Sequence, residues 1–293
     1  MRARFRVLVG ATLVAVTAAA ANVVAAGPAS AAPRVFAQRV VTETVRVDGL
    51  QHRGAHPTCA DGEIATGGGF GVAGTTDPAA YTVLVSAPVD NGWNAQIYLD
   101  RSFGTARLTA YVVCLSRVVG NPRLSHRVVT VESKAFRDYP ATVYPKCDRN
   151  EIATGGGYTV ASINPTAYTV FVDEPLGNGW NVQVYATHDP YVLFYGHVVC
   201  VKMPKDIRLS TRVVTGAAPA YGQVVTGVSA TCDKRTEVLT GGGYAVGSIN
   251  PYSYTVIGSR PSDGSWKVEA FNDGFPTDRV DLWSSAVCLQ LAR

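Results

Sequence analysis

The sequence predicts an all-β protein made of three tandem homologous antiparallel repeats, β-sandwich-like and each closed by one disulfide. Three observations carry that expectation. One block of motifs recurs three times, the cysteines pair off within each block, and apolar residues alternate with polar ones at a period of two. No stretch after the N-terminal region sustains a 3.6-residue apolar period. A single pseudo-threefold β-prism is the second way to assemble the same repeats.

The first repeat reads Cys59, Glu63 to Thr66, Gly67-Gly68-Gly69, Tyr81-Thr82-Val83, Asn91-Gly92-Trp93 and Cys114. The second reads Cys147, Glu151 to Thr154, Gly155-Gly156-Gly157, Tyr168-Thr169-Val170, Asn178-Gly179-Trp180 and Cys200. The third reads Cys232, Glu237 to Thr240, Gly241-Gly242-Gly243, Tyr254-Thr255-Val256, Gly264-Ser265-Trp266 and Cys288. An Arg-Val-Val run precedes each block, at Arg39, Arg127 and Arg212. These spacings divide the chain into a leader at 1–31 and repeats at 32–118, 119–204 and 205–293.

Six cysteines in matched pairs of an exported chain read as disulfides, and the triplication selects Cys59–Cys114, Cys147–Cys200 and Cys232–Cys288. Closing a loop of that length stabilises by about 4 kcal/mol in the chain-entropy model. That matters for units whose own cores are small. A zinc site needs close-set ligands such as Cys-x-x-Cys, and the spacing offers none. No metal and no cofactor is therefore expected.

The tryptophans open the clearest strands. Trp93, Ala95, Ile97 and Leu99 alternate with Asn94, Gln96 and Tyr98; Trp180, Val182 and Val184 alternate with Asn181, Gln183 and Tyr185. In the third repeat Trp266, Val268 and Ala270 alternate with Lys267, Glu269 and Phe271. One face of each strand is thus buried and the other wet. The Tyr-Thr-Val strands are apolar on both faces, which suits a central place, and the Asn-Gly and Asp-Gly signals after them predict hairpins into the Trp strands. The triple glycines permit close packing, under an aromatic ring such as the repeat's tryptophan.

Residues Arg2 to Arg6 and the apolar stretch Val7 to Ala21, with Ala29-Ser30-Ala31 after Pro28, read as a cleaved signal peptide. The expectation is a secreted, extracellular protein with no membrane anchor. Three leader arginines account for most of the formal +4, so the remainder is near neutral and nucleic acid is not an expected partner. A monomer is expected.

Chemistry is sparse. The recurrent Glu63, Glu151 and Glu237 have no recurrent second carboxylate, as two-acid hydrolysis requires. They read instead as hydrogen-bond acceptors for loop backbone. None of the five histidines is repeated; His197, with Tyr191 and Tyr195 beside it, is the one that stands out. The favoured function is a non-catalytic binding protein that recognises a carbohydrate, a cell-surface glycan or a secreted protein. The candidate contacts are Asn94, Gln96, Tyr98, Asn181, Gln183 and Tyr185, with Tyr195 and His197 as a site peculiar to repeat two. Amides supply paired donors and acceptors, and tyrosine a flat apolar ring with a polar tip. A secreted hydrolase with one asymmetric site is the alternative.

Overall fold

The strands of this protein pair antiparallel in three sheets of six. The computed structural model describes residues 36–75, 77, 80–100, 104–117, 124–162, 164, 167–202, 209–247 and 254–291. The leader and the boundaries expected at 118/119 and 204/205 lie outside the described residues. Repeat one forms β1 (Phe36–Asp48), β2 (His52–Ala55), β3 (Ile64–Ala73), β4 (Tyr81–Val89), β5 (Gly92–Leu99) and β6 (Thr105–Arg117). Repeat two forms β7 (His126–Phe136), β8 (Pro140–Val143), β9 (Glu151–Ala161), β10 (Tyr168–Leu176), β11 (Gly179–Ala186) and β12 (Tyr191–Lys202). Repeat three forms β13 (Leu209–Tyr221), β14 (Val224–Thr231), β15 (Glu237–Gly247), β16 (Tyr254–Ser262), β17 (Ser265–Asn272) and β18 (Arg279–Leu291).

The all-β class, the three homologous antiparallel repeats and the disulfide in each are those predicted. The sulfurs join Cys59 to Cys114, Cys147 to Cys200 and Cys232 to Cys288, with Cα–Cα distances of 5.5–5.6 Å. Within that class the repeats are not self-contained units in a row. Each divides its six strands between two sheets. Sheet I runs β1-β6-β3-β16-β17-β14, sheet II β2-β5-β4-β9-β12-β7 and sheet III β13-β18-β15-β10-β11-β8. Half of every sheet thus comes from one repeat and half from another, which is the pseudo-threefold arrangement. The described residues all belong to one compact unit.

Each seam between repeats is short. Phe70 and Gly71 pair with Ser259 and Gly258, Tyr158 and Thr159 with Ser86 and Val85, and Tyr244 and Ala245 with Asp173 and Val172. The Tyr-Thr-Val strands are central because they make these seams on one edge and a hairpin on the other. The hairpins turn tightly, and the first turn residue takes a left-handed φ at Asp90 (50°), Gly177 (56°) and Asp263 (45°).

At the axis the three repeats touch through Thr-Gly. Thr66 is an extra residue in β3: Ala65 pairs with Cys114 and Gly67 with Val113, leaving Thr66 bulged. Thr154 and Thr240 are bulged in the same way. Their hydroxyls close a ring, Thr66 Oγ1 donating to Thr240 O (2.9 Å), Thr240 Oγ1 to Thr154 O (3.1 Å) and Thr154 Oγ1 to Thr66 O (2.9 Å). All three threonines are fully buried. A buried hydroxyl needs a partner, and each finds one in the neighbouring repeat.

The three glycines of each run have three jobs. A Cβ on Gly67 would lie 2.5 Å from Thr240 O and 2.7 Å from the Gly241 Cα, so the first glycine lets backbones meet at the axis. A Cβ on Gly68, Gly156 or Gly242 would enter the Trp93, Trp180 or Trp266 ring, which is the close packing the sequence predicts. A Cβ on the third would strike the backbone of the adjoining repeat, at Ser259, Ser86 or Asp173. The tryptophans are completely buried, and their indole N–H groups donate to Ser86 Oγ (3.2 Å), Asp173 Oδ1 (2.7 Å) and Ser259 Oγ (2.9 Å).

Candidate functional site

The recurrent acids are spent on structure. Arg39 grips Glu63 with its Nε and terminal nitrogen at 2.6–2.9 Å, and Glu63 Oε2 accepts the Ala60 N–H at 3.0 Å. Arg127 with Glu151 and Arg212 with Glu237 repeat the device, with the Asp148 and Asp233 N–H groups at 3.1 and 2.8 Å. The arginine hydrogen bonds hold all three carboxyls below their ordinary value, ahead of the opposing effect of burial. Each Glu lies near its repeat's cystine. The sulfurs there are bonded to each other, so this grouping is no metal cradle.

The polar parity of the Trp strands is half-buried at Asn94, Gln96 and Tyr98 and buried at Asn181. Strand β5 pairs with β2 and β4 of its own repeat, and β4 in turn joins β9 of repeat two. On sheet II, β5 brings Asn94 and Gln96 of repeat one to the same concavity as Thr159 and His197 of repeat two. His52 and Ser162 complete its polar lining, and its volume is about 430 Å³. Gln96 Nε2 approaches Asn94 Oδ1 at 3.4 Å, near the limit of a hydrogen bond. Among the described residues the Asn94 N–H groups and the Gln96 carbonyl carry no other hydrogen bond. Gly54 lies opposite Gln96, and a Cβ there would press the Gln96 Cγ at 2.9 Å.

His197 is held on both sides. Thr130 Oγ1 lies 3.0 Å from its Nδ1 and Thr159 Oγ1 lies 3.1 Å from its Nε2. Burial pushes its pKa down to about 4, so the ring is neutral above that pH, one nitrogen donating and the other accepting. It is a satisfied residue of the sheet face, not a poised base. The Tyr98 ring lies tilted by 46° against His52, with ring centroids 4.8 Å apart, beside the concavity. Tyr195 lies across from Glu132 on β7 and outside the concavity.

The other candidates are separated from these. Asn181, Gln183 and Tyr185 occupy sheet III, where Asn181 is buried and bonded to Glu174, and the Tyr185 hydroxyl donates to Asp138 at 3.4 Å. Sheet I carries the divergent set: Glu269 is paired with Arg260 at 2.5 Å and with Lys267 at 2.8 Å. Of the eight predicted contacts, the fold brings together Asn94, Gln96 and His197. His52 and Thr159 escaped the sequence reading. His52 reaches the site because short β2 pairs with β5, and Thr159 because β9 joins β4 at a two-residue seam. Neither pairing leaves a periodic mark in the sequence.

Comparison with protein-family models and with curated proteins gives no match.

Proposed function

We propose that the chain is a secreted, non-catalytic binding protein that recognises neutral, polyhydroxylated surfaces, such as cell-wall or other glycans, through the concavity on sheet II. One observation carries the reading. The polar lining of the concavity is amide, hydroxyl and imidazole, and among the described residues it holds no carboxylate, lysine or arginine. His197 is neutral above about pH 4, so its ring joins the amides and hydroxyls in offering donors and acceptors in pairs. Sugar hydroxyls fit it, and phosphates and extended acidic or basic peptides do not.

Two features favour binding over the hydrolase. The recurrent glutamates are each engaged by arginine and backbone, and the concavity lacks the acid pair that glycoside hydrolysis uses. Export agrees with the three intramolecular disulfides and with the leader pattern at 1–31.

The test is retention of residues 33–293 on insoluble peptidoglycan, chitin and β-glucan. Wild-type protein should be held by at least one polymer, Asn94→Ala with Gln96→Ala should wash off, and Gln183→Ala should be held as wild type. Equal retention of all variants would contradict the site. Release of soluble sugar from the polymer would establish the hydrolase instead.

A further inference from the structure

A second concavity lies at one end of the pseudo-threefold axis. Its volume is about 330 Å³; all three repeats line it with their Tyr-Thr-Val residues, repeat two adds Tyr158 and His188, and repeat three adds Tyr244. Tyr81, Tyr168 and Tyr254 contribute one ring of residues. The position seven residues after each tryptophan contributes another, as Asp100, Thr187 and Asp273. Both aspartates are exposed, and among the described residues no lysine or arginine lines the cavity.

The symmetry breaks at two hydroxyls. Tyr81 donates to Val256 O (3.4 Å) and Tyr168 to Val83 O (3.0 Å), each reaching into an adjoining repeat. By the same rule Tyr254 would take Val170 O. That oxygen already accepts from Tyr244 (3.4 Å), a residue whose counterpart in repeat one is Phe70. Among the described residues Tyr254 Oη is left without a partner, and so is Thr187 Oγ1. Tyr254 is 7% and Thr187 8% exposed, and both line this cavity. A buried hydroxyl with no hydrogen bond forfeits its hydration without compensation. Two such groups beside one cavity mark a place where another molecule supplies the missing bonds.

We propose that the axial cavity binds a small hydroxylated primary amine, of the amino-sugar or amino-alcohol class. Its ammonium group sits against Asp100 and Asp273, and its hydroxyls bond Thr187 and Tyr254. An ammonium brings three donors and no acceptor, which suits carboxylates; a ligand hydroxyl both donates and accepts, which suits orphaned hydroxyls. A plain alkylamine or a neutral sugar matches only one half of the lining.

The experiment is calorimetric titration of residues 33–293 with glucosamine, glucose and n-butylammonium. Glucosamine should bind saturably and more tightly than either of the others. Asp273→Asn should weaken glucosamine by about tenfold or more, removing a charge-assisted partner. Thr187→Val and Tyr254→Phe give a readout that a structural role would not: each deletes an orphaned hydroxyl, so the free protein should melt no lower than wild type while glucosamine binds more weakly. Val131→Ala, at an exposed residue of β7 outside the lining, should bind glucosamine as wild type does. The absence of saturable glucosamine binding would overturn the proposal. So would equal affinity for glucose and glucosamine, or unchanged glucosamine binding in both Asp273→Asn and Thr187→Val.

Discussion

Gly67→Ala probes the contact between repeats at the axis. The added methyl would lie 2.5 Å from Thr240 O and 2.7 Å from the Gly241 Cα, so backbone must move on one side or the other. Overpacking of that kind costs about 1–3 kcal/mol. Thr240 O also accepts the Thr66 hydroxyl at 2.9 Å, and displacing it forfeits a buried hydrogen bond worth about 1 kcal/mol. The sum is about 2–4 kcal/mol, which for a unit of this size lowers Tm by roughly 4–8 °C. Two other glycines serve as controls. Gly227→Ala meets only ordinary contacts at 3.6 Å and should be neutral, or stabilising by about 0.4–1 kcal/mol through the unfolded chain. Gly62→Ala has open space but a φ of +85°, and should cost about 1 kcal/mol from backbone strain alone. The assay is calorimetric melting with disulfides intact. If Gly67→Ala melts with Gly227→Ala, the axis is not packed backbone to backbone and the shared-sheet account fails.

Two further outcomes follow from the core. Asp173 stands where the other repeats have Ser86 and Ser259, and burial holds its carboxyl well above the ordinary range despite the Trp180 N–H. The folded state therefore keeps a proton that the unfolded chain releases. The residue's contribution is whole below the unfolded pKa near 3.9 and is lost as pH rises toward the folded value, at up to about 1.4 kcal/mol per pH unit. Asp173→Ser should stabilise at pH 7 by urea denaturation, with the gain vanishing near pH 4; a pH-independent difference would contradict the assignment. Trp93→Ala empties a fully buried site over Gly68 and should cost about 3–5 kcal/mol, and a variant that melts unchanged would mean the indole is not in the core.

Local structure was legible in the sequence because it is local chemistry. Alternation from Trp93 to Leu99 marks a half-buried strand, and the pairing of Cys59 with Cys114 follows from the triplication. Glu63 was readable as a loop acceptor, although its bidentate partner Arg39 was visible only as part of a recurrent run. Assembly was not legible. The seams that join repeats rest on two residue pairs each, such as Ser86 with Tyr158, and nothing in those residues names a partner. The ring of bulged threonines is equally silent, since a bulge shifts register without altering composition. From sequence, the amide faces of repeats one and two read as equivalent, with Lys267, Glu269 and Phe271 setting repeat three apart. Instead each face acquired a different neighbour, so Gln96 and Gln183 stand in different surroundings, one in a concavity with His197 and one beside the buried Asn181.

The side-chain amide resonances of Asn94 and Gln96 report on the proposed glycan face most directly. They can be followed by NMR as a soluble oligosaccharide, cut from whichever polymer retains the protein, is added to residues 33–293. The account predicts that both NH2 groups shift in a saturable way together with the backbone N–H of Thr159, while Gln183 on sheet III and Lys267 on sheet I stay in place. Shifts confined to sheet III, or to the axial residues Thr187 and Tyr254, would contradict it.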